Sequence, residues 1–439
     1  MKFPATGTPR DELSSQMRDA LARDADWRGG KIWSLVYFAG DDVAEVLKEA
    51  YSLAFYTNGL GPAAFKSLRK FESEVVSMTA DLLGLPGAPG NMTSGGTESI
   101  LMAVKTARDC GQAERGITEP EMVAPITAHP AFDKAADYLG VKIIHTPIRE
   151  DLRADVAAVR DAITENTVLV VGSAPCDPFG TIDPISQLAE AAQERGIGLH
   201  VDACLGGYLL PFVSRLGYDV PPWDFSVPGV VSISADLHKY GFSARGASSV
   251  MYRDSAYRRH QFFVQSEWPG GLYGSPTMTG SRPGGAIAAA WAVLNYLGEE
   301  GYMRLAAQIM ETTKKLVDGI NAVPGLKVLG KPDMSVFSFN SDSIDIYAVA
   351  DEIEVLGWHP NRQQMPPSLH CMVTPAHSGT EEAFLEALAT AVASVKPEGP
   401  APGSRAAMYG MMGHLPDRGT VRDFLLDSLD RLTAPPSSR

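Results

Sequence analysis

The 439-residue chain has little cysteine: Cys110, Cys176, Cys204 and Cys371 are its only four, and no two are spaced as a pair. That scarcity speaks against a disulfide framework and suggests no zinc site; no metal is expected, and a reducing compartment fits. Positive charge is also short, with 38 Lys and Arg against 52 Asp and Glu, a net charge of −14 and a pI near 5.1. A general binder of nucleic acid or anionic membrane is thereby disfavoured, although a small basic pocket for one phosphate is still allowed. Long apolar runs are missing as well. The longest, "AIAAAWAVLNYLG" from Ala286, falls short of the roughly 20 residues that span a bilayer. The opening "MKFPATGTPRDELSSQMRDALARDADW" has no secretory apolar core and reads as an amphipathic surface helix. A soluble cytoplasmic protein is expected. Neither a Walker loop nor a GxGxxG fingerprint occurs at the glycine-rich turns considered below, and no internal repeat is visible.

What is present is a large apolar fraction, 45% of residues, enough for a big core and for one large domain plus a smaller one. From about residue 70, helical patterns such as "KSLRKFESEVVSMTADLLG", "ESILMAVKTARD" and "PISQLAEAAQERG" alternate with short β-rich runs. Those runs are "MVAPITA", "VKIIHTP", "TVLVVGSA", "IGLHVDA", "VVSISA" and "SSVMYR", most of them apolar on both faces. The alternation predicts a mostly parallel sheet covered on both sides, with ligands gathering at the carboxyl ends of its strands. A long helical stretch from "SRPGGAIAAAW" then leads to a region with weaker strands, "GLKVLG" and "MSVFSFN". "KPEGPAPGSR" reads as a hinge or loop and "TAPPSSR" as a frayed tail.

Four motifs fall at predicted strand ends. In "NMTSGGTESI", Gly95 and Gly96 permit a tight turn into a helix whose free amides could hold a phosphate, with Thr97 adding a hydroxyl. Such a turn is equally an ordinary helix start. In "LHVDACLGG", Asp202 closes an apolar strand, where a carboxylate either caps the next turn or holds a cation. His129 in "TAHPAFDKAADYLG" is a helix-start histidine or an imidazole lying on a flat ring. Lys239 in "SISADLHKYGFSARG" is a snorkelling surface lysine or a desolvated amine suited to Schiff-base chemistry. A phosphate cradle, a stacking histidine, a strand-end aspartate and a strand-end lysine are together the recurring parts of a pyridoxal-phosphate site.

"MTSGGTESI", "HPAFDKAA", "HVDACLGGYLLPF", "SISADLHKYGFSARG" and "GSPTMTGSRPGG" resemble stretches of the sphingosine-1-phosphate lyases, a branch of the pyridoxal-phosphate group II decarboxylase-like enzymes. The likeness continues into "RQQMPPSLHCMVTPAH" and "AAMYGMMGHLPDRGTVRDFLLDSL" and covers nearly the whole chain. It implies an aminotransferase-type α/β fold, fold type I, with a mostly parallel central sheet and a smaller C-terminal α+β domain. Residues 1–60 would contribute to a dimer and to the substrate entrance, 61–300 would bind the cofactor, and 301–439 would form the small domain. An obligate homodimer with active sites at the subunit interface follows from the same resemblance. By position, Lys239 resembles the lysine that carries the cofactor, Asp202 the partner of the pyridine nitrogen and His129 the histidine stacked on the ring. Gly96, Thr97 and His238 resemble ligands of the cofactor phosphate, and Ser281 resembles the phosphate ligand donated by the other subunit. Tyr37 and Asn58 resemble residues lining the substrate side, Tyr37 as a weaker candidate for acid–base work beside Lys239 itself. Arg245 sits where such lyases place a cation for the substrate phosphate, or it is a solvated loop arginine.

The resemblance implies retro-aldol cleavage of the C2–C3 bond of a phosphorylated sphingoid base, yielding a long-chain aldehyde and phosphoethanolamine. Amino-acid decarboxylation or an aldolase reaction on another β-hydroxy amine is the alternative, and a non-catalytic cofactor-binding protein is a third reading. Two departures bear on the substrate. After "TN" such lyases have a histidine near the substrate phosphate where this chain has Gly61, and Lys66 replaces a nearby proline. One lost imidazole donor would weaken anion binding by about 1–3 kcal/mol unless Lys66 or Arg245 substitutes. "SAPCDPFG" also differs, placing Cys176 and Asp177 in a loop, the cysteine expected to be packed rather than reactive. The N-terminal membrane anchor of the eukaryotic lyases has no counterpart in the sequence, so the soluble, bacterial-type form is expected.

Overall fold

The structure is a computed structural model that describes residues 3–396, 403–415 and 417–434. Strands β1 (Gly90–Thr93), β2 (Glu121–Pro125), β3 (Lys142–Thr146), β4 (Thr167–Ser173), β5 (Gly198–Asp202), β6 (Val230–Ala235) and β7 (Ser248–Tyr252) form one sheet in the order β1-β7-β6-β5-β4-β2-β3. β2 to β6 pair in parallel, while β7 runs antiparallel to both β1 and β6. β4 shows why these runs become inner strands. Its side chains alternate between faces: Leu169 and Val171 pack beneath Ile100, Leu101 and Val104 of the helix Gly96–Arg115. Val170 instead joins Ile185, Leu188 and Ala192 of the helix Ile185–Gln193 on the other side. β3, at the edge, keeps exposed residues at both Lys142 and His145. β1 was not among the runs read from the sequence, because "GNMT" offers no β-branched stretch before its final threonine.

β8 (Phe263–Gln265) and β9 (Tyr273–Ser275) form a hairpin. β10 (Lys327–Val328), β11 (Val336–Asn340), β12 (Asn361–Gln364) and β13 (Pro367–Met372) form a second, wholly antiparallel sheet in the order β10-β11-β13-β12. Helices Ile346–Val355 and Glu381–Ser394 bury Val349, Ile353, Phe384 and Leu388 in the same core as Phe337 and Leu369 of this sheet. The helix Gly284–Ala322 leads into this region and kinks at Gly298, whose φ is 54°, beside the boundary expected at residue 300. Of "GLKVLG" only Lys327 and Val328 pair, and the polar "NRQQ" of β12 carries no strand signal of its own. The N-terminal helix Arg10–Leu21 forms with no residue buried. Most of "KPEGPAPGSR" and the last five residues of "TAPPSSR" lie outside the described residues. No described helix is long and apolar enough to cross a membrane.

Candidate active site

Parallel strands that end together deliver their last residues to one rim of the sheet. Asp202 is the final residue of β5, and Lys239 follows β6 by four residues in a turn held by Lys239 N donating to Asp236 O at 3.2 Å. Gly95 and Gly96 lie between β1 and the first turn of the helix Gly96–Arg115. A cavity of about 400 Å³ opens there, bordered by Gly96, Thr97, His129, Asp202, His238 and Lys239 among others. Six of the residues expected from the sequence are therefore brought to one place by four separate segments.

Lys239 pairs with a buried carboxylate in this cavity. Its Nζ lies 3.1 Å from Asp236 Oδ2, and the Asp236 side chain is 1% exposed. Burial alone would lower the lysine, but the Asp236 carboxylate outweighs it and holds Lys239 well above the ordinary lysine value. Burial would likewise raise Asp236, whereas Lys239 and then His238 pull it below the usual carboxylate range. The pair is thus ionised. Asp236 Oδ1 accepts no hydrogen bond. A Cβ on Gly96 would come within 2.8 Å of both Asp236 Oδ2 and Cys204 Sγ, so only glycine leaves the helix start open against this carboxylate.

Asp202 accepts from the Cys204 amide at 3.0 Å and the Ser234 hydroxyl at 3.2 Å, both through Oδ1, which fixes the orientation of its carboxylate. His129 Nδ1 accepts the Ala131 amide at 3.1 Å, and His238 Nδ1 accepts the Ala247 amide at 3.2 Å. Both rings are oriented by backbone, each with Nε2 left for other partners. Tyr37 donates to Met372 Sδ at 2.9 Å and meets Tyr240 edge-on at 5.0 Å. Burial pushes the Tyr37 phenol far up; Lys239 opposes that rise and Asp177 adds to it. A phenol so placed keeps its proton and is a poor base. The Arg245 guanidinium lies 5.5 Å from the centre of the Tyr37 ring; neither residue is among those bordering the cavity.

Asn58 and Ser281 stand apart from the residues bordering this cavity. Asn58 Nδ2 donates to Ser281 Oγ at 3.0 Å, and Asn58 Oδ1 accepts from the Arg282 amide at 3.1 Å. Lys66 begins the helix Lys66–Leu82 and lines a different, shallow basic cleft with Arg69 and Lys70. A Cβ on Gly61 would touch only Phe65 and Ala64, the nearest atom at 3.8 Å, so the position has room for a side chain. Cys176 is 1% exposed, and burial pushes its thiol up to about 11, which makes it a packed residue and not a reactive one.

Two carboxylates of the site carried no assignment from the sequence. Asp236 was legible only as an acid three residues before Lys239, a spacing that brings side chains together once the strand ends in a helical turn. Glu98 is buried; its Oε2 accepts from the Ser94 amide at 2.6 Å and its Oε1 from the Met278 amide at 3.0 Å. It ties the glycine turn to the segment before Ser281, a contact across 180 residues that no local pattern announces. The cavity fits pyridoxal phosphate on its own chemistry. It offers a buried amine, an oriented strand-end carboxylate and a helix start cleared of side chains for an anion.

Comparison with known proteins agrees with this chemistry. Residues 2–341 match the family model described as the pyridoxal-dependent decarboxylase conserved domain. The chain is 48% identical to a sphingosine-1-phosphate lyase of Oryza sativa subsp. japonica, over 97% of this chain and 81% of that protein. It is 34% identical to a probable L-aspartate decarboxylase of Pyrococcus furiosus, over 82% of this chain and 94% of the relative. The solved sphingosine-1-phosphate lyase of Burkholderia pseudomallei superposes with a TM-score of 0.91 at 40% identity, covering 99% of this chain and 98% of that one. The chain belongs to the pyridoxal-dependent decarboxylase family and, within it, to the sphingosine-1-phosphate lyases.

Proposed function

We propose that this chain cleaves the C2–C3 bond of a phosphorylated sphingoid base such as sphingosine 1-phosphate, by retro-aldol chemistry, to a long-chain aldehyde and phosphoethanolamine. The observation that carries the reading is the buried Lys239–Asp236 pair, set between Asp202 and the glycine turn in one cavity of a chain this similar to known lyases. Pyridoxal phosphate, when bound, supplies the electron sink for the pair left on C2.

The residues take the following roles. Lys239 would hold the cofactor through its aldehyde carbon. Asp202 would pair with the pyridine nitrogen, and His129 would cover the ring and exclude water from it. Gly96, Thr97 and His238 would hold the cofactor phosphate at the helix start. As a neutral amine with the high proton affinity that Asp236 confers, Lys239 would take the C3 hydroxyl proton and return it to C2. Tyr37 keeps its proton and serves as a hydrogen-bond donor beside the reacting hydroxyl. Arg245 receives the substrate phosphate in place of the imidazole that Gly61 lacks. The catalytic unit is a homodimer in which Asn58 and Ser281 of one copy complete the site of the other, in keeping with neither residue bordering the cavity of its own chain.

The deciding assay is aldehyde release by the cofactor-loaded chain from sphingosine 1-phosphate, with the unphosphorylated base as control and carbon dioxide release from amino acids as a third arm. Aldehyde from the phosphorylated compound alone is the expected result. Carbon dioxide from an amino acid with no aldehyde from either base would overturn the reading in favour of a decarboxylase.

A further inference from the structure

Among the described residues, one group of three potential metal ligands converges: Cys110, Glu114 and His260, whose ligating atoms all lie within 4.8 Å of one another. Cys110 and Glu114 are four residues apart on the helix Gly96–Arg115 and so share one face, near the end opposite the glycine turn. At 1.5 Å per residue, Cys110 stands ~21 Å along that helix from Gly96, well away from the Lys239 cavity. His260 directly follows the short helix Ser255–Arg259, and its Nε2 lies 3.6 Å from Glu114 Oε1, too far for a hydrogen bond yet correctly facing. The backbone at His260 is held in place, because Lys105 Nζ donates to the His260 carbonyl at 2.7 Å while also pairing with Asp109.

A second observation points into the same space. The Tyr257 hydroxyl is buried and has no hydrogen-bond partner. Burial pushes that phenol up, and nearby Cys110, Tyr252 and Glu114 add to the rise. A protonated thiol is a weak acceptor for such a hydroxyl, whereas a metal-bound thiolate is a good one.

We propose that Cys110, Glu114 and His260 form a binding site for a borderline-soft divalent cation of the zinc type. One thiolate, one imidazole and one carboxylate suit that class, and three protein ligands leave a fourth position for water. Metal–ligand bonds of ~2.0–2.3 Å require ligand atoms roughly 3.3–3.8 Å apart. The ligand atoms, all within 4.8 Å of one another, need to draw in by about an ångström, and the Glu114 side chain is exposed enough to follow. On binding, the Cys110 S–H loses its proton to solvent and the sulfur pair forms the metal bond. The bound cation clamps the end of the helix Gly96–Arg115 to the segment that leads into the β8–β9 hairpin. Cysteine spacing could not have revealed the site, since only one ligand is a cysteine and the third lies 150 residues further on.

Cobalt(II) is the probe, added to the full-length, cofactor-loaded, untagged chain after chelation and reduction. Expected is a thiolate-to-cobalt absorption band that saturates near one equivalent per chain and is displaced by zinc. Cys110→Ser should abolish the band, and His260→Ala, which retains the thiol, should weaken cobalt binding at least ~10-fold. Both variants should keep the melting temperature of the metal-free parent and its lyase activity, which separates loss of the site from misfolding. No band in the parent would overturn the proposal, as would a band unchanged in either variant.

Discussion

Replacing Asp236 by asparagine removes one charge from the Lys239 pair while keeping its shape. At 3.1 Å and an effective dielectric constant near 20, the attraction is about 5 kcal/mol, partly offset by the desolvation of both groups. Removing one partner of a buried pair is destabilising by about 3–5 kcal/mol, because the other charge stays behind uncompensated. Lys239 is 20% exposed and Asp236 1%, so water relieves the lysine only in part and the lower half of that range applies, about 3 kcal/mol. An unfolding entropy of about 2.1 cal/mol/K per residue makes each kcal/mol worth about 1 °C in a chain of this length. The cofactor-free Asp236→Asn chain should therefore melt about 3 °C below the parent in a calorimetric scan. A double variant, Asp236→Asn with Lys239→Met, should recover most of that loss, since neither charge then remains buried. A single variant within 1 °C of the parent, or a double variant no more stable than the single, would refute the ion-pair account.

Two further outcomes follow from buried residues near the site. His200, on β5 between Ser232 and Ser234, is driven by burial down to about 4, with Asp202 opposing. Its folded value lies below its unfolded value, so the unfolded chain binds the extra proton, and stability present at neutral pH is lost as pH falls from about 6.5 towards 4. The full effect is about 3 kcal/mol. In melting curves, the advantage of the parent over His200→Gln should shrink by about 2 kcal/mol between neutral pH and about pH 5; parallel pH dependences would contradict this. Gly180 has a φ of 69°, and a Cβ there would fall 1.7 Å from the Val336 carbonyl oxygen of β11. Gly180→Ala should lower stability by on the order of 4 kcal/mol or more and reduce soluble yield, whereas an unchanged melting temperature would disprove the close approach.

The alternation of β-rich runs with amphipathic helices was enough to predict the parallel core, because each inner strand must be apolar on both faces whatever else surrounds it. β1 and β12 escaped that logic. "GNMT" and "NRQQ" pair only because β7 and β13 present open edges to them, so their strand character comes from neighbours and not from their own residues. The site divides in the same way. Lys239, Asp202, His129 and the Gly95–Gly96 turn were readable because their chemistry is carried by residue type at a strand end. Glu98 and Asp236 were not, since a buried carboxylate gains its role from partners, here the Met278 amide far along the chain and the Lys239 ammonium.

By itself the sequence determined the layered α/β architecture, the family and the cofactor chemistry, all of which rest on local pattern and residue type. Only the tertiary structure decided that Lys239 is paired and ionised, that Tyr37 keeps its proton, and that Asn58 and Ser281 bond to each other. It alone also gathered Cys110, Glu114 and His260 into one cluster. Charge state, burial and convergence depend on distances through space, and a chain has those distances only after it has folded.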